Sequence, residues 1–270
     1  MTAADGSNRI LLQPVIATGI AVNAFFLATG LWLFGTDGES LSRFLREDAF
    51  VEWMQFLTFA SLTVLCGFVA YDRLLQGRRF ALQVAGLLAL TAAFAFAALE
   101  EISWFQRVLG WQTPEYFAKH NRQAETNLHN LMIGDINLHK HIMVKLIVAF
   151  GVTHNVILPL LAPRYPAIRR WNEDVGFYLP PLRVSLFYLA FVLLAETLVI
   201  HHRRGELLEL FGAVHYLTTA SAAYLVGVNY TMPVFKDVVA NHRMSVLLAL
   251  FLAMLVLLAW ILGAMSPAVA

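Results

Sequence analysis

Apolar and polar positions in this chain alternate on the scale of whole helices. Seven long apolar runs stand out, at residues 10 to 35, 52 to 71, 80 to 101, 142 to 162, 182 to 202, 206 to 230 and 244 to 264. Each is close to or above the roughly 20 residues that a helix needs to cross about 30 Å of hydrocarbon. A backbone inside lipid must satisfy its own hydrogen bonds, which makes runs of this length helical. The pattern therefore predicts an all-α fold, a polytopic membrane helical bundle of about seven transmembrane helices. Residues 1–270 form a single integral membrane domain, with residues 102–141 as a polar interfacial connection between spans three and four.

Composition supports this reading. The chain is 59% hydrophobic and 14% charged, with a mean hydropathy of +0.65, well beyond an ordinary soluble domain. The first apolar run exceeds the 7 to 15 residues of a signal-peptide core, so a permanent span is expected. The single cysteine, Cys66, excludes an intrachain disulfide and a thiolate cluster, and a net charge of +1 offers no basic tract for nucleic acid.

Charge then gives the bundle two unlike ends. Compact basic connections, "RLLQGRR" and "PRYPAIRR", mark one end as cytoplasmic and predict an N-terminus inside. The expected location is the bacterial inner (cytoplasmic) membrane. The opposite end takes 13 of the 18 acids, from Asp37 to Glu209, and seven of the nine histidines. That end carries nearly all the groups able to move protons or bind metals.

Within it, "EEISWFQR" (Glu100 to Arg107) ends the third run. Counted from Phe80, Glu100 and Glu101 lie about 30 Å along the helix, at the interface, beside Trp104 and Phe105 as interfacial aromatics. Continued as a helix, the segment sets Glu100, Trp104 and Arg107 on one face and Glu101 with Phe105 on another. Glu196 is expected some 21 Å into the fifth run and His215 about 13 Å into the sixth, while Glu52 opens the second. An ionisable group inside the hydrocarbon points by default to function. Glu52 also suits a simple helix cap, and His215 a hydrogen bond to a neighbouring helix.

The connection itself reads "WQTPEYFAKHNRQAETNLHNLMIGDINLHKH", with a helix start expected at Thr113-Pro114-Glu115. "ETNLHNL" is echoed ten residues later by "DINLHKH", which twice sets an acid, an amide and an imidazole together. Such residues supply metal ligands and their hydrogen-bonding supports. His129 ranks first as a ligand, because His139 and His141 at i, i+2 share a metal only in irregular backbone.

"REDAFVEW" (Arg46 to Trp53), "EEISWFQR" and "NRQAETNLHNL" (Asn121 to Leu131) resemble a family of uncharacterised bacterial multi-pass membrane proteins with an EEISW…NLHN signature. The resemblance implies a polytopic helical fold and brings no activity with it. A weaker, partial similarity is to the CAAX-type intramembrane proteases, through Glu100-Glu101 with Arg107 and "FGAVH" ending at His215. Here the arginine stands two residues too far along and no HxxxN or HxxxD follows. That similarity counts only if Glu101 and His215 meet.

The functional expectation is a metal-dependent hydrolase or transferase acting on a lipid or lipid-linked substrate at the membrane interface. Its catalytic candidates are Glu100, Glu101 and Arg107; its metal candidates are His129, Glu196, His215 and Glu52. Gln106, Glu125, Asn127, Asn130 and His139 are expected in support. The expected cofactor is a divalent metal, zinc or iron. The alternatives are a proton-coupled transporter using Glu196 and His215, and a membrane-complex subunit without catalytic activity. A retinal protein is excluded, since Met244 to Met265 holds no lysine. Haem binding would need His154 and His215 to face each other.

Overall fold

The computed structural model describes residues 9–36 and 38–265, the side chains of Arg107 and Lys140 excepted. Asp37 lies outside the described residues. Eight helices carry the fold: α1 (Pro14–Thr36), α2 (Phe50–Leu75), α3 (Ala81–Glu101), α4 (His141–Leu161), α5 (Pro166–Asp174), α6 (Leu182–Leu198), α7 (Gly205–Ser221) and α8 (Val238–Met265). Five of these, α1 to α4 and α8, are long and apolar enough to cross a membrane. The chain is a multi-pass, all-α membrane protein whose apolar helices contact lipid.

Every apolar run became helix, yet the boundaries moved. The fifth run stops at Leu198, four residues short, and α6 has 17 residues. The sixth continues past Ser221 as a π-helical turn, Ala222–Val226, and ends where Gly227 takes φ +82°. The short α5 is an amphipathic surface helix that the run pattern did not predict.

Packing is inside out relative to a soluble bundle, because lipid solvates the apolar faces. Large side chains of α8 such as Leu247, Leu250, Met254 and Trp260 are exposed, and so are Leu146, Ile147 and Phe150 of α4. The polar residues of α4, His154 and Asn155, are buried. A π-helical turn over Thr153–Ile157 sets both inward. α7 is the central helix, packed on α1, α2 and α6 and buried without a break from Ala213 to Val226 except at Tyr216. The polar side chains in this buried stretch are satisfied locally, Thr218 and Thr219 by donating to the carbonyls of Val214 and His215 in the preceding turn.

The polar cluster in the bundle's middle, around Asn155, is hydrogen-bonded across helices, as hydrocarbon surroundings favour. Asn155 accepts from His215 Nε2 at 2.7 Å and donates to the Tyr216 hydroxyl at 2.7 Å. His215 also stacks on Tyr188, with ring centroids 4.7 Å apart. His154 bonds the Tyr178 carbonyl at 2.8 Å instead of facing His215 as a haem-binding pair.

α2 and α3 form the tightest helical hairpin. On the other side of α3, a Cβ built on Gly86 would stand 1.8 Å from the Val175 carbonyl oxygen, so the chain after α5 approaches α3 at a distance that only glycine permits. Gly86→Ala should therefore lower stability by about 1–3 kcal/mol, the range for overpacking a filled site, measured as thermal unfolding in detergent. A variant as stable as the parent would show that the contact yields.

Candidate functional site

The two adjacent acids at the end of α3 point apart, since successive helical residues diverge by about 100°. Glu100 turns to the connection. One of its carboxylate oxygens accepts from Trp104 Nε1 at 2.7 Å; the other accepts from the backbone N–H groups of Leu128 at 2.7 Å and His129 at 2.9 Å. It is 7% exposed. Glu100 is thus a bracket that fastens the "NLHN" segment to the helix end.

The helix does not continue through Arg107, as the sequence pattern suggested. It ends at Glu101, and Ser103, Trp104 and Phe105 take φ of +46°, +56° and +61° in succession. Left-handed backbone costs an L-residue about 1–2 kcal/mol and survives only where its surroundings fix it. Here they do. Ser103 Oγ donates to Glu125, and Asn127 Nδ2 donates to Ser103 Oγ at 3.0 Å and to Glu125 at 3.1 Å.

The connection closes on itself through the same residues. Asn121 Nδ2 donates to both the carbonyl and the side-chain oxygen of Asn127 at 2.9 Å. Gln106 accepts from the Thr126 N–H at 2.7 Å and donates to Thr113. Asn130 N–H reaches Asn127 at 3.1 Å, and the Asn130 side chain donates to Gln123, which in turn donates to Glu47. A two-residue antiparallel ribbon, Met132–Ile133 with Ile136–Asn137, leads into a π-helical turn, His139–Met143, that opens α4. The predicted helix after Pro114 is present as Glu115–His120.

This framework delivers two imidazoles to the carboxylates of the bundle. The His129 and His139 rings stack with centroids 3.8 Å apart, and His139 Nε2 lies 3.5 Å from Glu209 Oε1. One ligand atom each from His129, His139 and Glu209 falls within 4.8 Å of the others. A second group, Glu101, Glu206 and Glu209, meets the same limit. Glu209 is common to both. Glu52 is close enough for its charge to bear on Glu101. Burial, reinforced by His139, pushes the His129 imidazole down to about 4.

Of the residues singled out in the sequence, Glu101, His129 and His139 meet here, Glu52 stands near, and Glu100, Gln106, Glu125, Asn127 and Asn130 build the bracket. Arg107's side chain lies outside the described residues. Glu196 and His215 belong to neither group of ligand atoms. Glu196 falls in the last turn of α6, exposed, and pairs with Arg204 through two contacts, one of them 2.8 Å. His215 is six residues beyond Glu209, about 9 Å further along α7, and is held by Asn155. Glu101 and His215 therefore lie in separate polar clusters.

Glu206, Glu209 and Gln55 were not anticipated. The available signal was the i, i+3 spacing of the two acids in "GELLEL", which sets them on one face of α7. Neither a protein-family model, a curated protein nor a solved structure matches this chain.

Two expectations follow from the bracket. Glu100→Gln replaces one accepting oxygen by an NH2 group facing N–H donors, so it should cost about 1–3 kcal/mol and speed hydrogen exchange at residues 126–131, read by mass spectrometry. In protein stripped of divalent ions, the unfolded chain protonates His129 near its ordinary value of 6.5, whereas the folded site resists until about 4. The stability this contributes is complete above 6.5 and is lost as pH falls from 6.5 to 4, on the order of 3 kcal/mol. His129→Gln should flatten that part of a stability-against-pH curve.

Proposed function

We propose that this protein is a metal-dependent hydrolase or transferase of the bacterial inner membrane, acting on a lipid or lipid-linked substrate. On this reading the chain crosses the membrane seven times, with α6 and α7 as the short spans. The N-terminus is cytoplasmic and the carboxylate and imidazole cluster lies at the outer interface.

One observation carries the proposal: His129 and His139, delivered by a rigidly bonded connection, converge on Glu209 beside Glu101 and Glu206. Two imidazoles and a carboxylate are a common ligand set for zinc, and for iron or manganese where further oxygen ligands join. A divalent ion held there supplies Lewis acidity to an ester or phosphoester oxygen. Glu101 is the residue best placed for proton transfer. It takes a proton from the attacking water or alcohol and returns it to the leaving oxygen, so that the bond to the leaving group breaks as the new one forms. His129 suits the ligand role, because a ring kept neutral to low pH offers its lone pair.

The position of the cluster supports a lipid substrate. α3 ends beside it, and Trp104, Phe105 and Trp111 are exposed around that end, in the manner of an interfacial aromatic belt. A polar headgroup at that height has its scissile bond near the cluster while its chains stay in hydrocarbon. The Glu196–Arg204 pair and the separate His215 cluster weaken the transporter alternative, which requires those residues to form one relay.

The test is product analysis. Purified protein in nanodiscs is incubated with phospholipids, sphingolipids and polyprenyl-linked lipids, and released headgroups or acyl chains are followed by mass spectrometry. Turnover abolished by chelator, restored by zinc, iron or manganese, and reduced at least roughly a hundredfold by Glu209→Gln is expected. Turnover that survives exhaustive chelation would overturn the metal role. A well-folded protein inert toward the whole panel would overturn the lipid reading.

A further inference from the structure

We infer that the cluster holds two divalent cations rather than one, with Glu209 shared between them: a nitrogen-rich position at His129, His139 and Glu209, and an oxygen-rich position at Glu101, Glu206 and Glu209, where Glu101 ligates through one carboxylate oxygen and leaves the other to carry the proton. This extends the proposed function and rests on it only for the first position.

The geometry supplies two sets of converging atoms with one member in common. Within each set the ligand atoms lie inside 4.8 Å of one another. Catalytic ions that share a carboxylate stand about 3.5–4 Å apart, so one bridging glutamate between adjacent sets is the arrangement such a pair needs. The two sets reach the site from different elements. Both histidines come from the connection, whereas Glu206 and Glu209 rise from the first turns of α7 and Glu101 from the last turn of α3.

Charge also requires a partner. Three carboxyl groups this close, with Glu52 near, must share either protons or a cation. Of the cations at the start of α7, Arg204 is paired with Glu196 at 2.8 Å and Arg203 with Glu47 at 3.2 Å, so the single charge of Arg203 that also bears on Glu206 is shared.

A separate observation points to a ligand at the oxygen-rich position. Gln55, one turn beyond Glu52 on α2, is 0% exposed. Its Nε2 donates to the Glu206 carbonyl at 3.0 Å and lies 3.5 Å from Glu206 Oε2, which sets the amide against that carboxylate. The amide oxygen, Oε1, is buried with no hydrogen-bond partner among the described residues. A buried acceptor left without a donor costs about 1–3 kcal/mol. A cation, or a water held by one, beside Glu206 would satisfy it.

The donor sets differ in hardness and so in preferred ion. Two imidazoles and a carboxylate suit zinc or iron, while three carboxylates with an amide oxygen suit magnesium or manganese. Mn2+ binds both kinds of donor and is paramagnetic, which makes it the probe of choice.

Full-length protein in detergent, stripped by chelator and reloaded with Mn2+, should bind two ions per chain by elemental mass spectrometry. Its electron paramagnetic resonance spectrum should show two exchange-coupled ions. Glu101→Gln and, independently, Glu206→Gln should each bring the count to one, with the six-line spectrum of an isolated ion. Glu209→Gln should lower the count below one, and Glu196→Gln should leave it at two. Circular dichroism and monodispersity confirm folding, and the two single variants stand in for each other if one misfolds.

One ion in the parent, or two in both folded Glu101→Gln and Glu206→Gln, overturns the inference. Two ions without turnover of any lipid would leave the dinuclear site standing and remove the enzymatic reading. One ion with turnover would do the reverse, and no bound ion would remove both.

Discussion

Glu100 commits its carboxylate to three N–H donors, and the polar end of the protein is built outward from that commitment. Hydrogen bonds to an ionised acceptor are roughly twice as strong as neutral ones. Together with the Ser103–Glu125–Asn127 and Gln106–Thr126 contacts they hold the connection against the end of α3. One of the three also stabilises the left-handed turn at residues 103–105, since Trp104 is both a strained residue and a donor to Glu100. Adjacent acids are well suited to this division of labour. The helix turns them about 100° apart, so one can fix the loop while the other faces the carboxylates of α7.

The bundle below determines where those carboxylates stand. Lipid solvates the apolar outer surfaces of α4 and α8, so the interior is shared between apolar side chains such as Phe26, Met54, Leu62 and Leu87, a few polar groups, and α7, which is buried along most of its length. A helix fixed so completely presents its first turns rigidly, and Glu206 and Glu209 inherit that rigidity. The hydrogen bonds of Asn155 to His215 and Tyr216 tie α4 to α7 one layer deeper, and α4 carries His139 at its entrance. The imidazole and carboxylate sides are therefore braced against each other through the middle of the membrane as well as through the connection.

The helices could be read from the apolar runs because length and hydropathy alone decide whether a segment enters lipid. The end of the bundle that gathers acids and histidines was legible for a related reason, since charged groups collect where the membrane stops. What could not be read was azimuth. Counting residues gave Glu196 and His215 a depth, but depth does not tell which neighbour a side chain faces. Glu196 lies in the last turn of a helix that ends at Leu198 and finds Arg204 there, while His215 turns to Asn155. Glu206 and Glu209 were plain in the sequence as two acids on one face. Nothing local revealed that Glu101 would oppose them, because that depends on α2, α3 and α7 packing together. His139 ranked below His129 because His139 and His141, at i, i+2, share a metal only in irregular backbone; both lie in a π-helical turn, where His139 turns to Glu209 and His141 to the Asn137 carbonyl at 3.0 Å.

The split between loop-borne imidazoles and helix-borne carboxylates bears on how the site is assembled. The carboxylates are positioned by helix packing, whereas the imidazoles are positioned by the docking of the connection on Glu100. With the connection docked, the acids at the head of α7 stand close together in partly enclosed surroundings, where their mutual repulsion is greater than in open water. Docking is favoured by whatever offsets that repulsion. On the proposed reading the offset is a divalent cation, and binding the ion and docking the connection become one linked equilibrium: each stabilises the other by the same free energy.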